Sequence, residues 1–282
     1  MTVSAVVDGL PDPGRTLVMG VVNVTPDSFS DGGEWLEPEA AVRHGLELVA
    51  EGADLVDVGG ESTRPGAGRP SQHEELRRVL PVVGALAAAG AVVSVDTMRA
   101  EVARQAVEAG ARLVNDVSGG QADPAMMPLV AELGVPYVCM HWRGHAAGMQ
   151  RRAVYGDVVA EVAAELRRQA ERAVRAGIAP ERLVLDPGFG FAKTGEHNWT
   201  LLARLQRLDL GFPLLAGVSR KAFLGHLLAG PDGAPRPARE RDDASLALTT
   251  VLAGLGIWGV RTHTVRPHRD AVAVVQRLLD VR

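Results

Sequence analysis

Leu17-Val18-Met19-Gly20-Val21-Val22-Asn23-Val24-Thr25-Pro26-Asp27-Ser28-Phe29-Ser30-Asp31-Gly32-Gly33 is an apolar run that passes straight into a loop of polar side chains and turn formers. The first six residues do not alternate in polarity, which is the pattern of a strand buried on both faces of a parallel sheet. Pro26 and Gly32-Gly33 suffice to turn the chain. They do not account for Asn23, Thr25, Asp27, Ser28, Ser30 and Asp31 falling within nine residues. Such a concentration after a strand marks either a solvated, helix-capping turn or a site.

The same unit recurs outward from this run. Short apolar segments lie at 17–22, 55–58, 92–95, 113–114, 137–140, 183–185, 214–216 and 259–262. Helical periodicity fills 38–51, 73–89, 99–109, 124–133, 157–176, 197–210, 241–255 and 267–279. Gly52, Gly90, Gly110, Gly134 and Gly177 each fall just past a periodic segment, where helices end. Eight βα units in roughly 265 residues predict one α/β domain, a (β/α)8 TIM barrel over 17–282. A doubly wound open sheet is the rival, since periodicity does not report closure. No glycine-rich dinucleotide fingerprint follows the first strand, which counts against it. Residues 1–16, with Gly9, Pro11, Pro13 and Gly14, read as a flexible arm, and 229–241 as a surface loop.

Composition narrows the class. The chain has 282 residues, 46% hydrophobic, with a formal net charge of −4 and 4% aromatics, so nothing favours nucleic acid as a partner. No apolar stretch reaches membrane-spanning length and the start lacks a signal pattern. The lone Cys139 cannot form an internal disulfide, which fits a reduced, cytoplasmic protein.

In a barrel the C-terminal strand ends converge on one face. Here they carry Asn23, Asp57 to Ala67, Asp96-Thr97, Asn115-Asp116, Met140-His141, Asp186 to Phe191, Ser219-Arg220-Lys221 and Arg261-Thr262-His263. One aspartate after a strand is commonly a helix cap. A polar group at all eight ends points to an enzyme. Asp96, Asn115 and Asp186 suit a planar heterocycle with several N–H donors, and Lys221 could meet a ring acceptor. Arg64, Arg261 and His263 suit phosphate or carboxylate. Other chemistries stay open at this point. A zinc hydrolase has only His141 and His263 to draw on. Asp96, Asp116 and Asp186 could hold Mg2+. Lys221 could form the Schiff base of an aldolase.

The motifs G-V-V-N-V-T-P-D-S-F-S-D-G-G (20–33), D-V-G-G-E-S-T-R-P-G-A (57–67), S-V-D-T (94–97), N-D-V-S-G-G (115–120), D-P-G-F-G-F-A-K-T (186–194), S-R-K (219–221) and R-T-H (261–263) carry a family resemblance. From about residue 17 to its end the chain resembles the dihydropteroate synthases of bacterial folate biosynthesis, in an actinobacterial style. The resemblance implies a transferase joining p-aminobenzoate to 6-hydroxymethyl-7,8-dihydropterin pyrophosphate. The products would be 7,8-dihydropteroate and pyrophosphate. It implies that Asp96, Asn115, Asp186 and Lys221 hold the pterin, with Met140 and Phe191 on its faces. Arg261 and His263 would take the pyrophosphate, and Asn23 would contact Mg2+. Thr63, Arg64 and Pro65 would build the p-aminobenzoate pocket, with Asp27 and Phe29 shutting out water as the loops 24–36 and 60–70 close. A homodimer through late helices and a role as a sulfonamide target follow from the same resemblance.

One position departs from the pattern. Many members place serine directly after the lysine of S-R-K, and here that residue is Ala222. Backbone N–H groups of the following helix are expected to take the p-aminobenzoate carboxylate instead. Two further readings share the pterin set: a methyltetrahydrofolate-type pterin-binding domain and a non-catalytic paralogue. The first has no use for S-T-R-P, and the second tends to lose the second loop or S-R-K. Both motifs are intact.

Overall fold

The computed structural model describes residues 6–25, 38–61, 68–145 and 148–281. Eight strands run through it: β1 (Leu17–Asn23), β2 (Leu55–Gly59), β3 (Val93–Asp96), β4 (Leu113–Asp116), β5 (Tyr137–Met140), β6 (Leu183–Asp186), β7 (Leu215–Ala216) and β8 (Gly259–Thr262). All pair in parallel in the order 6-5-4-3-2-1-8-7. One bridge, Leu185 to Leu214, joins β6 to the start of β7 and brings the (β/α)8 barrel to closure. The helices are α1 (Pro38–Ala50), α2 (Gln72–Ala88), α3 (Ala100–Glu108), α4 (Met126–Leu133), α5 (Val158–Arg175), α6 (Gly195–Ala203), α7 (Ala222–Leu227), α8 (Asp242–Gly254) and α9 (Arg266–Asp280).

The glycine stops work as the pattern requires. After α2, Gly90 adopts φ +85° and the next N–H, of Ala91, reaches back to Leu86 O at 3.0 Å. Gly110 (φ +114°) does the same after α3, with Ala111 bonding Ala106 O at 2.9 Å. Each glycine supplies the left-handed turn that satisfies the last carbonyls and drops the chain into the next strand.

One element differs from expectation. The helix expected over 197–210 ends at Ala203 and continues only as a 3-10 turn, Leu205–Leu208. The six-residue α7 shows no helical periodicity, and it is the helix expected directly after S-R-K.

Outward-facing strand residues such as Val56, Val58, Val95, Val114, Tyr137, Leu185 and Val260 pack with the helices in one large core. Inside the barrel a second cluster forms a floor at the N-terminal strand ends: Leu17, Met19, Leu55, Leu113, Val138, Val184 and Leu215, sealed by Trp258 and Val7. Burying each such side chain contributes about 1.5–3 kcal/mol. Val7 belongs to the segment expected to be a loose arm. Among its described residues, 6–16, Val7 is 2% exposed, Asp8 pairs with Arg182 at 2.6 Å, and Arg15 pairs with Asp54 at 2.7 Å. Among the described residues of this segment, Val7 therefore packs into the bottom of the barrel rather than standing off it.

Candidate active site

Side chains of a strand alternate between its two faces. The residue two places past each floor residue therefore also points into the barrel. Past Leu55 it is Asp57, past Leu113 it is Asn115, past Val138 it is Met140, and past Val184 it is Asp186. On β8 the same phase places Arg261 inward, two residues before His263. The floor is apolar and the layer above it is polar, which makes the upper barrel a recognition surface. Asp96, Asn115, Met140, Asp186, Phe191, Ser219, Lys221, Arg261 and His263 line one pocket there. The structure thus brings together every described residue that the sequence singled out for substrate.

Asp57 lies at the centre of this layer. Its Oδ2 accepts from Arg261 Nε at 2.6 Å and from Asn115 Nδ2 at 2.9 Å. Arg261 also donates from Nη2 to Asp96 Oδ2 at 2.9 Å. Burial works against the charge on Arg261, but Asp57 and Asp96 outweigh it and hold the guanidinium firmly protonated. For Asp96 the upward shift disfavours the charge. Burial raises it to about 7, against the pull of Arg261, with Asp57 and Glu75 adding like charge. Asp57 is counted with the strand-end residues but given no ligand contact, since it lies within the apolar run of β2. The available signal was its inward phase with Leu55.

A second group comes from the loop after β6. Asp186 Oδ1 accepts the N–H of Gly188 at 2.6 Å, and the N–H of Gly190 goes to Asn198 Oδ1 at 2.7 Å. Gly188 has φ +69°, and a Cβ there would lie 2.5 Å from His141 O, so only glycine fits. Burial raises Asp186 to about 6, although the Gly188 N–H and Lys221 oppose the shift. The Lys221 ammonium stands 4.2 Å from the centre of the Phe191 ring, a cation–π contact. Desolvation, with help from Arg261, lowers Lys221 to about 8. Lys221 is set by the residue before it. Arg220 holds a left-handed φ of +59°, rare and strained for arginine. It is pinned there by two 2.7 Å bonds to Asp242 and by Ser245 Oγ on its backbone N–H.

At the cationic end, His263 Nδ1 lies 2.9 Å from Ser219 Oγ, and the His263 N–H also reaches that oxygen at 3.3 Å. Asn23 ends β1, half-buried, in register with Gly59 of β2. The end of β2 is strapped down: Glu61 pairs with Arg69 at 2.8 Å and Arg99 at 3.3 Å, and Arg99 also bonds Pro70 O at 2.7 Å and the buried Glu75. Thr63, Arg64 and Pro65, with Asp27 and Phe29, lie outside the described residues.

Two strand-end residues serve the frame instead. Asp116 points outward, accepting from Ser118 N and Oγ, Gly120 N and Tyr137 Oη at 2.7–2.8 Å. Its acceptor sites are filled, so it does not join Asp96 and Asp186 around a cation. His141 is likewise buried behind the pocket, between Lys193 and Glu165. Among the described residues no group of three or more His, Cys, Asp or Glu could hold a metal.

A closed βα barrel whose C-terminal mouth presents two carboxylates, an amide, two cationic side chains and a histidine is an enzyme scaffold built for a polar heterocycle carrying an anion. Comparison with known proteins says which. The profile of the family described as "Pterin binding enzyme" matches residues 19–263. Dihydropteroate synthase of Mycobacterium leprae is 58% identical over 260 residues, covering 92% of each chain. The Xanthomonas albilineans dihydropteroate synthase structure with 4-aminobenzoic acid superposes with a TM-score of 0.87 at 47% identity, covering 95% of this chain and 94% of that one. The same enzyme in complex with 7,8-dihydropteroate gives 0.84 at 45% identity, covering 95% of both chains. The chain belongs to the dihydropteroate synthases of the pterin binding enzyme family.

Proposed function

We infer that this chain acts as a dihydropteroate synthase, joining p-aminobenzoate to 6-hydroxymethyl-7,8-dihydropterin pyrophosphate with release of pyrophosphate. The observation that carries this beyond the family relation is the orientation of Asn115. Its Nδ2 is committed to Asp57, which leaves Oδ1 as an acceptor. Asp96, Asn115 and Asp186 then present acceptors to one ligand edge, and Lys221 is the donor beside them. That set is complementary to the N–H-rich edge of a pterin, whose flat faces would lie against Met140 and Phe191.

With the ring so held, the exocyclic methylene points toward the cationic end. Cleavage of its C–O bond sends the electron pair out with the pyrophosphate. Arg261 and His263 offset the charge that grows there. The methylene cation left behind is stabilised by the electron-rich ring and by ionised Asp96. The amine of p-aminobenzoate is neutral, so it needs placement more than activation. Its lone pair forms the C–N bond, and its proton is lost afterwards to water or pyrophosphate. No side chain is assigned as a strong base. Thr63, Arg64 and Pro65 would form the p-aminobenzoate pocket, with Asp27 and Phe29 excluding the water that competes for the cation. Sulfonamides, as mimics of that amine, would compete at the same place.

Mg2+ commonly takes one or two protein oxygens and completes its shell with phosphate and water. Asn23 fits that role: its side chain is half-buried at the end of β1, and nothing among the described residues bonds it. Bound there by the Asn23 amide oxygen, the ion would offset charge on the leaving group. We further place the protein in the cytoplasm, in keeping with a buried, unpaired Cys139. It would act as a homodimer through α8 and α9, which expose Val251, Val274 and Leu278, with Leu255 exposed just past α8.

The direct test incubates the purified protein with both substrates and Mg2+ and follows pyrophosphate. Release should require p-aminobenzoate. No turnover where a control synthase works would sink the proposal.

A further inference from the structure

Lys193, the last charged residue of D-P-G-F-G-F-A-K-T, lines no part of the pocket, yet it is 3% exposed. Its ammonium donates to Gly188 O at 3.0 Å, to Phe191 O at 3.2 Å and to His141 Nδ1 at 3.0 Å. All three of its N–H donors are used. Because His141 Nδ1 accepts, the ring proton of the neutral imidazole sits on Nε2, which donates to Glu165 Oε2 at 2.9 Å. Burial, reinforced by the Lys193 charge, keeps His141 neutral by lowering it to about 4. Arg143 closes the far end, donating from Nε to the same Glu165 oxygen at 3.1 Å. Burial pulls Lys193 down to about 7, yet three acceptors around Nζ suit its charged form, which is joined to its counter-charge on α5 through one imidazole in a defined tautomer.

The two carbonyls on Lys193 bracket the turn that carries Asp186 and the Phe191 ring. Gly188 also gives its N–H to Asp186 Oδ1, and its carbonyl accepts the Phe191 N–H at 3.1 Å. The backbone just before the lysine is strained, with Ala192 at φ +46°, and Tyr155 Oη holds the Ala192 carbonyl at 3.0 Å. Strained backbone persists only where its surroundings over-determine it.

We propose that Lys193 is a positioning residue for the heterocycle: through Gly188 O and Phe191 O it sets the spacing between the Asp186 carboxylate and the Phe191 ring, with His141 and Glu165 holding it in place. This rests on the reading that the pterin is bound by Asp186 and Phe191. The residue touches neither substrate. Its effect is therefore confined to the ring site and does not extend to p-aminobenzoate.

The test uses Lys193→Met, which keeps the buried stem and removes the ammonium. Affinity for 6-hydroxymethyl-7,8-dihydropterin pyrophosphate, titrated calorimetrically, should fall about tenfold, the scale of one lost charge-assisted hydrogen bond. The KM for p-aminobenzoate should stay within about twofold, and hydrogen exchange at Gly190 and Phe191 should quicken while the barrel strands keep their protection. Wild-type pterin affinity in a folded variant, or equal losses for both substrates, overturns the proposal. Should Lys193→Met not fold, Glu165→Gln decides: a smaller loss with the same selectivity supports the tether, and no loss refutes it. Asp186→Ala is titrated in parallel. If it leaves pterin affinity intact, the pterin-site reading itself fails; if it abolishes binding while Lys193→Met does not weaken it, only the tether fails.

Discussion

Asp96 and Asp186 are carboxylates whose burial pushes them to about 7 and about 6, and Lys221 beside them is lowered to about 8. Each must be charged to do its part, the carboxylates to accept N–H donors and the ammonium to donate. As pH falls through the raised carboxylate values the acceptors are lost; as it rises through the lowered lysine value the donor weakens. The pH profile of kcat/KM for the pterin substrate should therefore be bell-shaped, with its maximum between about 7 and 8. Asp96→Asn should move the acidic limb down towards the Asp186 value. A flat profile from about pH 5.5 to 9 would contradict these assignments. Asp57 carries a different load. It neutralises Arg261 in the barrel interior, so Asp57→Ala strands a buried cation and should cost about 3–5 kcal/mol in urea unfolding. A loss below about 1 kcal/mol would show that Asp96 alone suffices for Arg261.

The loop after β6 is the element most constrained by sequence. Gly188→Ala puts a Cβ 2.5 Å from His141 O in a left-handed conformation. We expect a destabilisation of about 2–3 kcal/mol, read from thermal unfolding, and a larger loss of pterin affinity than of p-aminobenzoate affinity. The loop after β2 should behave in the opposite sense: Arg64→Ala should raise the KM for p-aminobenzoate more than that for the pterin, and equal effects would argue against a pocket there. What could be read in advance follows the same divide between pattern and context. The strands stand out as apolar runs because both of their faces are buried, and even the two-residue β7 lies inside such a run. The six residues of α7 are too few to show a period, and Lys221 there reads equally as loop or helix start. Asp57 hides within the Leu55–Gly59 run, where its charge counts only once the inward phase is known. The docking of Val7 into the barrel floor is a tertiary contact that the glycines and prolines around it conceal.

At the scale of the molecule, the fold separates stability from chemistry along the barrel axis: an apolar floor at one end and a polar mouth at the other. Among the described residues, exposed apolar side chains occur at several places, and four of them, Val251, Leu255, Val274 and Leu278, lie on or next to α8 and α9. If these bury a twofold interface, Val251→Glu combined with Leu278→Glu should convert a dimer to a monomer in sedimentation velocity. An unchanged mass would place any association elsewhere. The mouth draws its groups from β2, β3, β4, β5, β6 and β8 and from the turn before α7, so no single unit holds the substrate. The position of the pterin ring tests this most directly, measured in a crystal of the protein with 6-hydroxymethyl-7,8-dihydropterin pyrophosphate. The expected result has the ring N–H groups within hydrogen-bond distance of Asp96, Asn115 Oδ1 and Asp186, the ring beside Phe191, and the pyrophosphate at Arg261 and His263. A ring bound outside the barrel mouth, or reversed so that the pyrophosphate meets Asp186, would contradict it.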